Sequence, residues 1–185
     1  MPRGAAGDPK AVNIEFISPE KDADGVPQNK YYLLMKQIIG ESHEELNMAK
    51  IALWWRLNWK PDRNGRMTLA QAKILTDFER DLCDGEYDLA IFLNYEWFME
   101  TATEHQKKAV LDHELWHFQP VLSDGEIRMD SEGRVCYCVR QHTVQEFPEV
   151  IEKYGLYTDS LRKIAEALAV VEDKEISEAS EGILE

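Results

Sequence analysis

The chain has 185 residues, of which 44% are hydrophobic, and this suits one globular domain with a sizeable core. Its net charge of −14 argues against a nucleic-acid partner, because phosphate backbones are bound by clustered Lys and Arg. No apolar run approaches the roughly 18 residues that a membrane span needs, and the first ten residues lack the apolar centre of a signal peptide. We therefore expect a cytoplasmic protein with no membrane partner, in which the three cysteines are reduced.

Composition and periodicity divide the chain into three parts. Residues 1–27 are rich in Pro, Gly, Asp and Lys and predict a flexible arm, and the acidic, Ser-rich residues 173–185 predict a disordered tail. Residues 28–172 are predicted to form the domain. Its first half predicts a helix at 29–39 ended by Gly40, strands at 50–59, 68–75 and 87–94, and a helix at 76–83.

The central motif is H-E-x-x-H, formed by His113, Glu114 and His117. Residues four apart lie on one face of a helix, so both imidazoles can turn toward one Zn²⁺ ion. The carboxylate of Glu114 can reach a metal-bound water as general base without becoming a ligand. We predict a helix that begins after Thr103 and ends at Pro120, with an apolar stripe of Leu111, Leu115, Phe118 and Leu122. The alternative is an ordinary amphipathic helix whose histidines are capped or solvated.

A catalytic zinc site needs a third protein ligand, and the segment after the motif supplies the candidates. Residues 126–140 predict a hairpin with its turn at 130–133, followed by helices at 143–154 and 158–171. His142 and Glu146 would share one face of the first of these helices. We favour His142 because imidazole is the commonest third ligand beside two histidines, with Glu146 as the alternative. His43 and His105 are weaker candidates.

The stretches AVLDHELWHF and QHTVQEFPEVIEKYG resemble the putative phage metallopeptidase family and, more distantly, are similar to SprT-like zinc proteases. The resemblance covers about residues 50–155. It implies that His113, His117 and His142 bind zinc and that Glu114 is the base. Glu146 and Phe147 match the residues beyond the third histidine with an offset of one, which keeps Glu146 open as a ligand. The resemblance also implies that the strand at 87–94 is the sheet edge that pairs with substrate; the alternative is a central strand.

We therefore predict an α+β, zincin-like fold in which a small twisted sheet packs on the motif helix, with further C-terminal helices. The predicted function is that of a zinc metallopeptidase acting on a peptide or protein substrate. Two other functions stay open: a non-catalytic, acidic decoy or binding protein stabilised by metal, and a zinc hydrolase of a non-peptide amide. Side chains considered for stabilising the oxyanion are those of Tyr137, Arg140, Tyr154 and Tyr157.

Overall fold

The computed structural model of the chain describes residues 13–83, 85–142, 151–152, 155–156 and 158–181. The chain divides into two compact units, residues 1–140 and residues 141–185. No helix in the described ranges is both long enough and apolar enough to cross a membrane. Helices and a small sheet together make the fold α+β, as the sequence predicted.

A four-stranded sheet forms the base of the first unit. Its strands are β1 (Ile14–Phe16), β2 (Ile51–Arg56), β3 (Ala70–Ile74) and β4 (Leu89–Asn94), in the order β1-β2-β4-β3. β2 and β4 run parallel, whereas β1 and β3 pair antiparallel with their neighbours. The predicted strands at 50–59, 68–75 and 87–94 are confirmed. β1 lies inside the stretch 1–27 that the composition predicts to be a flexible arm.

β4 occupies the centre of this sheet, so its predicted place at the edge is wrong. β2 pairs with one side of β4 and β3 with the other. Leu89, Ile91 and Leu93 are fully buried in the main core, while Ala90 is fully buried in a smaller cluster. A strand that is apolar on both faces is typical of a sheet interior, and this property decides against the edge position. The edge is β3.

The helices of the first unit begin at side-chain caps. α1 (Lys30–Ser42) starts at Asn29, and α2 (Asp77–Leu82) starts at a capping box made by Thr76 with Glu79, as predicted. A π-helical turn (Trp97–Thr101) precedes α3 (Glu104–Leu115), which is capped by Thr103. α1 contacts α3, and α3 contacts β3. Gly40 lies within α1 and does not end it, because the helix continues to Ser42 and is capped by the backbone N–H of His43.

Four short strands follow α3, and they correct the predicted hairpin at 126–140. β5 (Phe118–Pro120) pairs with β8 (Tyr137–Val139), and β6 (Leu122–Ser123) pairs with β7 (Glu126–Ile127). The predicted turn at 130–133 is present as a smaller loop that a bridge between Met129 and Val135 closes. The hairpin continues for one more step, since the N–H of Cys136 donates to the carbonyl of Arg128, but further from the turn β7 pairs with β6 and β8 pairs with β5. The two-residue connection between β6 and β7, Asp124-Gly125, has positive φ at both residues, as this hairpin class requires.

In the second unit, α4 (Asp159–Glu181) begins close to the predicted start of the helix at 158–171. It continues through residues 173–181, where the sequence predicted disorder. Five of the nine residues in this continuation are Glu, Lys or Ala, which favour helix. Most of the predicted helix at 143–154 lies outside the described residues. The division into arm, domain and tail stays a prediction.

Candidate metal centre

The motif H-E-x-x-H lies at the C-terminal end of α3. The helix ends at Leu115 with Trp116 as its cap, so its predicted extension to Pro120 is wrong. The N–H of His117 donates to the carbonyl of Glu114 at 3.2 Å, a tighter turn than the α-helical one. The chain then becomes extended at β5, where Pro120 cannot continue a helix. Phe118 is therefore buried as a strand residue, whereas Leu122 is mostly exposed on β6.

The two motif histidines lie side by side despite the early end of the helix. Their ring centroids are 5.0 Å apart and their planes cross at 81°. His117 is held by the backbone of Arg140: its Nδ1 lies 2.7 Å from the Arg140 carbonyl, and its own carbonyl accepts from the Arg140 N–H at 2.7 Å. Because a carbonyl can only accept, Nδ1 carries the proton. In a neutral imidazole Nε2 then has the lone pair that a metal ion requires.

His142 joins this pair. It is the second residue after Arg140, so the backbone clamp on His117 brings it near by direct chain connection. One ligand atom from each of His113, His117 and His142 lies within 4.8 Å of the others, a grouping that could hold a metal ion. The alternative ligand, Glu146, lies outside the described residues.

The two weaker histidine candidates do not belong to this cluster. His105 is an exposed residue in the first turn of α3. His43 is fully buried at the end of α1, where its Nε2 lies 2.6 Å from Asp112. The polar residues around His43 in the sequence give no sign of this burial.

Glu114 points away from solvent, toward the sheet. Its exposure is 6%, and its carboxylate accepts a hydrogen bond from the backbone N–H of Ala72 on β3. Burial raises the pKa of the Glu114 carboxyl, while the charge of His117 and the bond from Ala72 act in the opposite direction. The side chain proposed from the motif as a base is therefore fixed between the second histidine and the edge strand.

The outer edge of β3 runs past this carboxylate. The N–H of Leu75 donates to the carbonyl of Asp88 at 3.0 Å, so the N–H and C=O groups of Leu75 point toward β4. Along an antiparallel strand this direction alternates, and therefore Ala70, Ala72 and Ile74 turn their N–H and C=O groups away from β4. No strand within the described residues pairs with that side.

A cavity of about 860 Å³ opens at the Ile74 end of this edge. Ile74 and Tyr137 line it, and α2 contributes Arg80 and Asp81. β8 contacts β3. Tyr137, at the start of β8, lines the cavity, and Arg140, directly after the end of β8, contacts His117, so the cavity and the histidines lie at opposite ends of this strand. Ile74 is two residues, or about 7 Å, from Ala72 along the strand.

The four side chains considered for stabilising the oxyanion differ in their surroundings, and two of them lie outside the described residues. Tyr137 lines the cavity, and burial, followed by the negative charge of Asp88, raises the pKa of its hydroxyl. The guanidinium of Arg140 lies 5.5 Å from the ring of Trp116, and the backbone carbonyl of Arg140 contacts His117. Tyr154 and Tyr157 lie outside the described residues.

Three comparisons with known proteins bear on this site. The family model described as "Putative phage metallopeptidase" matches residues 24–169, which include all three histidines and Glu114. No curated protein and no solved structure is significantly similar to the chain. The more distant similarity to SprT-like proteases stays a prediction.

Proposed function

Because the chain belongs to the putative phage metallopeptidase family, we propose that it is a zinc-dependent peptidase. Its substrate would be a peptide or protein, with His113, His117 and His142 as the zinc ligands and Glu114 as the general base. The observation that carries the proposal is the grouping of three imidazole ligand atoms within 4.8 Å, beside a buried carboxylate.

The donor set fits zinc better than the other common divalent cations. Three imidazole nitrogens suit Zn²⁺, whereas Mg²⁺ and Ca²⁺ prefer oxygen ligands. The Arg140 carbonyl supports this fit, because it holds His117 in the tautomer whose Nε2 can bind a metal. When bound, Zn²⁺ supplies a Lewis acid that acidifies water and polarises the scissile carbonyl.

Glu114 would carry the proton during hydrolysis. One carboxylate oxygen takes the proton from the attacking water and then passes it to the nitrogen of the leaving amine. Burial raises the pKa of this carboxyl in the metal-free site, and the charge of a bound dication would act in the opposite direction. The N–H of Ala72 holds the carboxylate in place, so little reorganisation is needed before proton transfer.

The outer edge of β3 would bind the substrate backbone. The outward N–H and C=O groups of Ala70 and Ile74 can pair with an extended peptide, as in strand addition. Such a peptide would pass Glu114 and continue toward the cavity at Ile74, which could receive a side chain. We propose that the fold is zincin-like on this basis.

We further propose that residues 28–172 form the catalytic domain, a range close to the family match at 24–169. A cytoplasmic location is likewise a proposal.

The test is hydrolysis of a mixed pool of unstructured peptides, followed by mass spectrometry of the products. The protein with one Zn²⁺ should cleave the pool, chelation should stop cleavage, and added Zn²⁺ should restore it. A preparation that neither contains zinc nor gains it on reconstitution would refute the metal centre. A zinc-loaded protein that cleaves no peptide would instead favour the decoy or the hydrolase of another amide.

A further inference from the structure

His43 is a fully buried histidine that contacts the back of the motif helix. Its Nε2 lies 2.6 Å from Oδ1 of Asp112, and its ring meets the ring of Trp116 edge-on at 4.7 Å between centroids. Because an ionised carboxylate has no proton to give, Nε2 is the donor. His43 itself is fixed by its backbone, whose N–H caps α1 at Ile39.

The two residues that His43 contacts have the same spacing as the motif histidines. Asp112 and Trp116 are four apart, and each directly precedes one histidine, His113 or His117. His43 therefore holds one side of the same helical turn that presents both imidazoles on the adjacent side. Trp116 also lies beside the guanidinium of Arg140, at 5.5 Å, and the Arg140 backbone clamps His117.

A small rotation of this turn would be large on the scale of metal coordination. The side chains of a helix lie about 5–6 Å from its axis, so a 10° rotation moves them by about 1 Å. Metal–ligand distances tolerate only about ±0.2 Å. A contact that fixes the rotation of this turn therefore bears directly on how well two imidazoles can share one ion.

Stability alone does not account for a histidine at this position. Its Nδ1 is buried and has no hydrogen-bond partner among the described residues, and a carboxylate oxygen of Glu45 lies 3.9 Å away, beyond hydrogen-bond distance. A buried polar atom without a partner lowers stability, and an apolar ring of similar shape would avoid that loss. What such a ring would lack is the directional bond to Asp112.

We propose that His43 is a positioning residue of the metal centre, which acts through Asp112 and Trp116 to fix the last turn of α3. The inference rests on the proposed function, since it concerns the affinity of that centre for its metal. His43 does not touch the metal, the substrate or the reacting atoms in this assignment.

The test compares metal affinity in the full-length protein and its variants. Zn²⁺ affinity is measured by competition with a chelator, and Co²⁺ absorption in the visible range reports ligand geometry. His43→Phe should weaken Zn²⁺ binding by about 10–100-fold and change the Co²⁺ spectrum. His43→Gln, which keeps a donor toward Asp112, should recover most of the affinity. Ile38→Val, a substitution of a buried residue in α1, the helix that His43 caps, is the control for lost stability.

Asp112→Ala supplies the second arm, because Asp112 is partly exposed and its removal leaves His43 in place. It should weaken Zn²⁺ binding as His43→Phe does, and the double variant should be little weaker than either single one. If His43→Phe fails to fold, Asp112→Ala decides the question. Wild-type affinity and spectrum in the variants would overturn the inference while the proposed function stands. Absence of metal binding in the wild type would overturn both.

Discussion

Replacing Glu114 by Gln separates the chemistry of this carboxylate from its structural role. Glutamine has nearly the same shape, and its amide oxygen can still accept from the N–H of Ala72. The substitution also removes a charge from a side chain that is only 6% exposed. We therefore expect Glu114→Gln to keep its fold and its zinc, with a melting temperature no lower than that of the wild type.

The expected effect on turnover is large. A neutral amide cannot take a proton from water, and a general base contributes about 10²–10⁴-fold to rate. This range corresponds to about 2.7–5.4 kcal/mol of activation free energy, at 1.36 kcal/mol for each factor of ten. The loss should appear in kcat, since Glu114 is not expected to contact the substrate backbone that β3 is proposed to bind.

The assay measures kcat and KM on one peptide identified from the cleaved pool, together with zinc content and melting temperature. Glu104→Gln is the matched control, because Glu104 lies in the first turn of the same helix and is mostly exposed. The control should keep wild-type turnover. Turnover of Glu114→Gln within a factor of ten of the wild type, with zinc bound, would refute the assignment of the base.

Four further predictions follow from the site and the sheet. Chelation should lower the melting temperature, since an ion at 100 times its Kd adds about 2.7 kcal/mol to the free energy of unfolding; an unchanged value would argue against a site formed in the folded protein. His142→Ala should lose zinc, measured by metal analysis, whereas Glu146→Ala should weaken it by only about 10–100-fold; the reverse order would make Glu146 the third ligand. Ile74→Pro should weaken peptide hydrolysis but keep zinc, because the lost N–H faces outward, while Lys73→Pro should unfold the sheet; equal damage by both would place the substrate elsewhere. Lys73 and then the N–H of Thr76 lower the pKa of Glu79 to about 2. The ionised Glu79 side chain therefore stabilises the fold above pH 4.5, the ordinary pKa of the group, and this stabilisation is lost as pH falls toward 2. The difference in free energy of unfolding between wild type and Glu79→Gln, measured in urea, should shrink over that interval, and a constant difference would contradict the assignment.

The parts of the structure that the sequence predicted depend on local chemistry. The capping box of Thr76 with Glu79 and the cap at Thr103 involve residues only three apart, so their partners can be read directly from the chain. The spacing of His113 and His117 likewise holds at the end of the helix, even though the helix is shorter than predicted.

The errors arise where a distant segment decides the outcome. Phe118 continues the apolar period of α3, but its strand pairs with β8, about 20 residues further along the chain, and this pairing replaces helix. The central position of β4 depends on β2, which joins it across nearly 40 residues. In contrast, the turn at Asp124-Gly125 carried a clear local signal that could have identified the β6–β7 hairpin.

Two features of the site cannot be predicted from the pattern of side chains along the sequence. Ala72 and Arg140 contact Glu114 and His117 through their backbones, and any residue type other than Pro could supply the Ala72 N–H. The burial of His43 follows from the packing of α1 against α3, which no spacing within α1 reveals.

The outer edge of β3, where Ala70 and Ile74 turn their backbone groups away from β4, also carries a risk of self-association. A strand with unpaired N–H and C=O groups can pair with the same strand of another molecule as readily as with a peptide. In the proposed role this edge has to stay accessible to a substrate, so other means must limit aggregation. β3 is only five residues long, and it carries a lysine, Lys73, of the kind that discourages pairing between edges. The net charge of −14 adds repulsion between copies, so the protein should become more prone to associate as pH falls toward its isoelectric point of about 4.8.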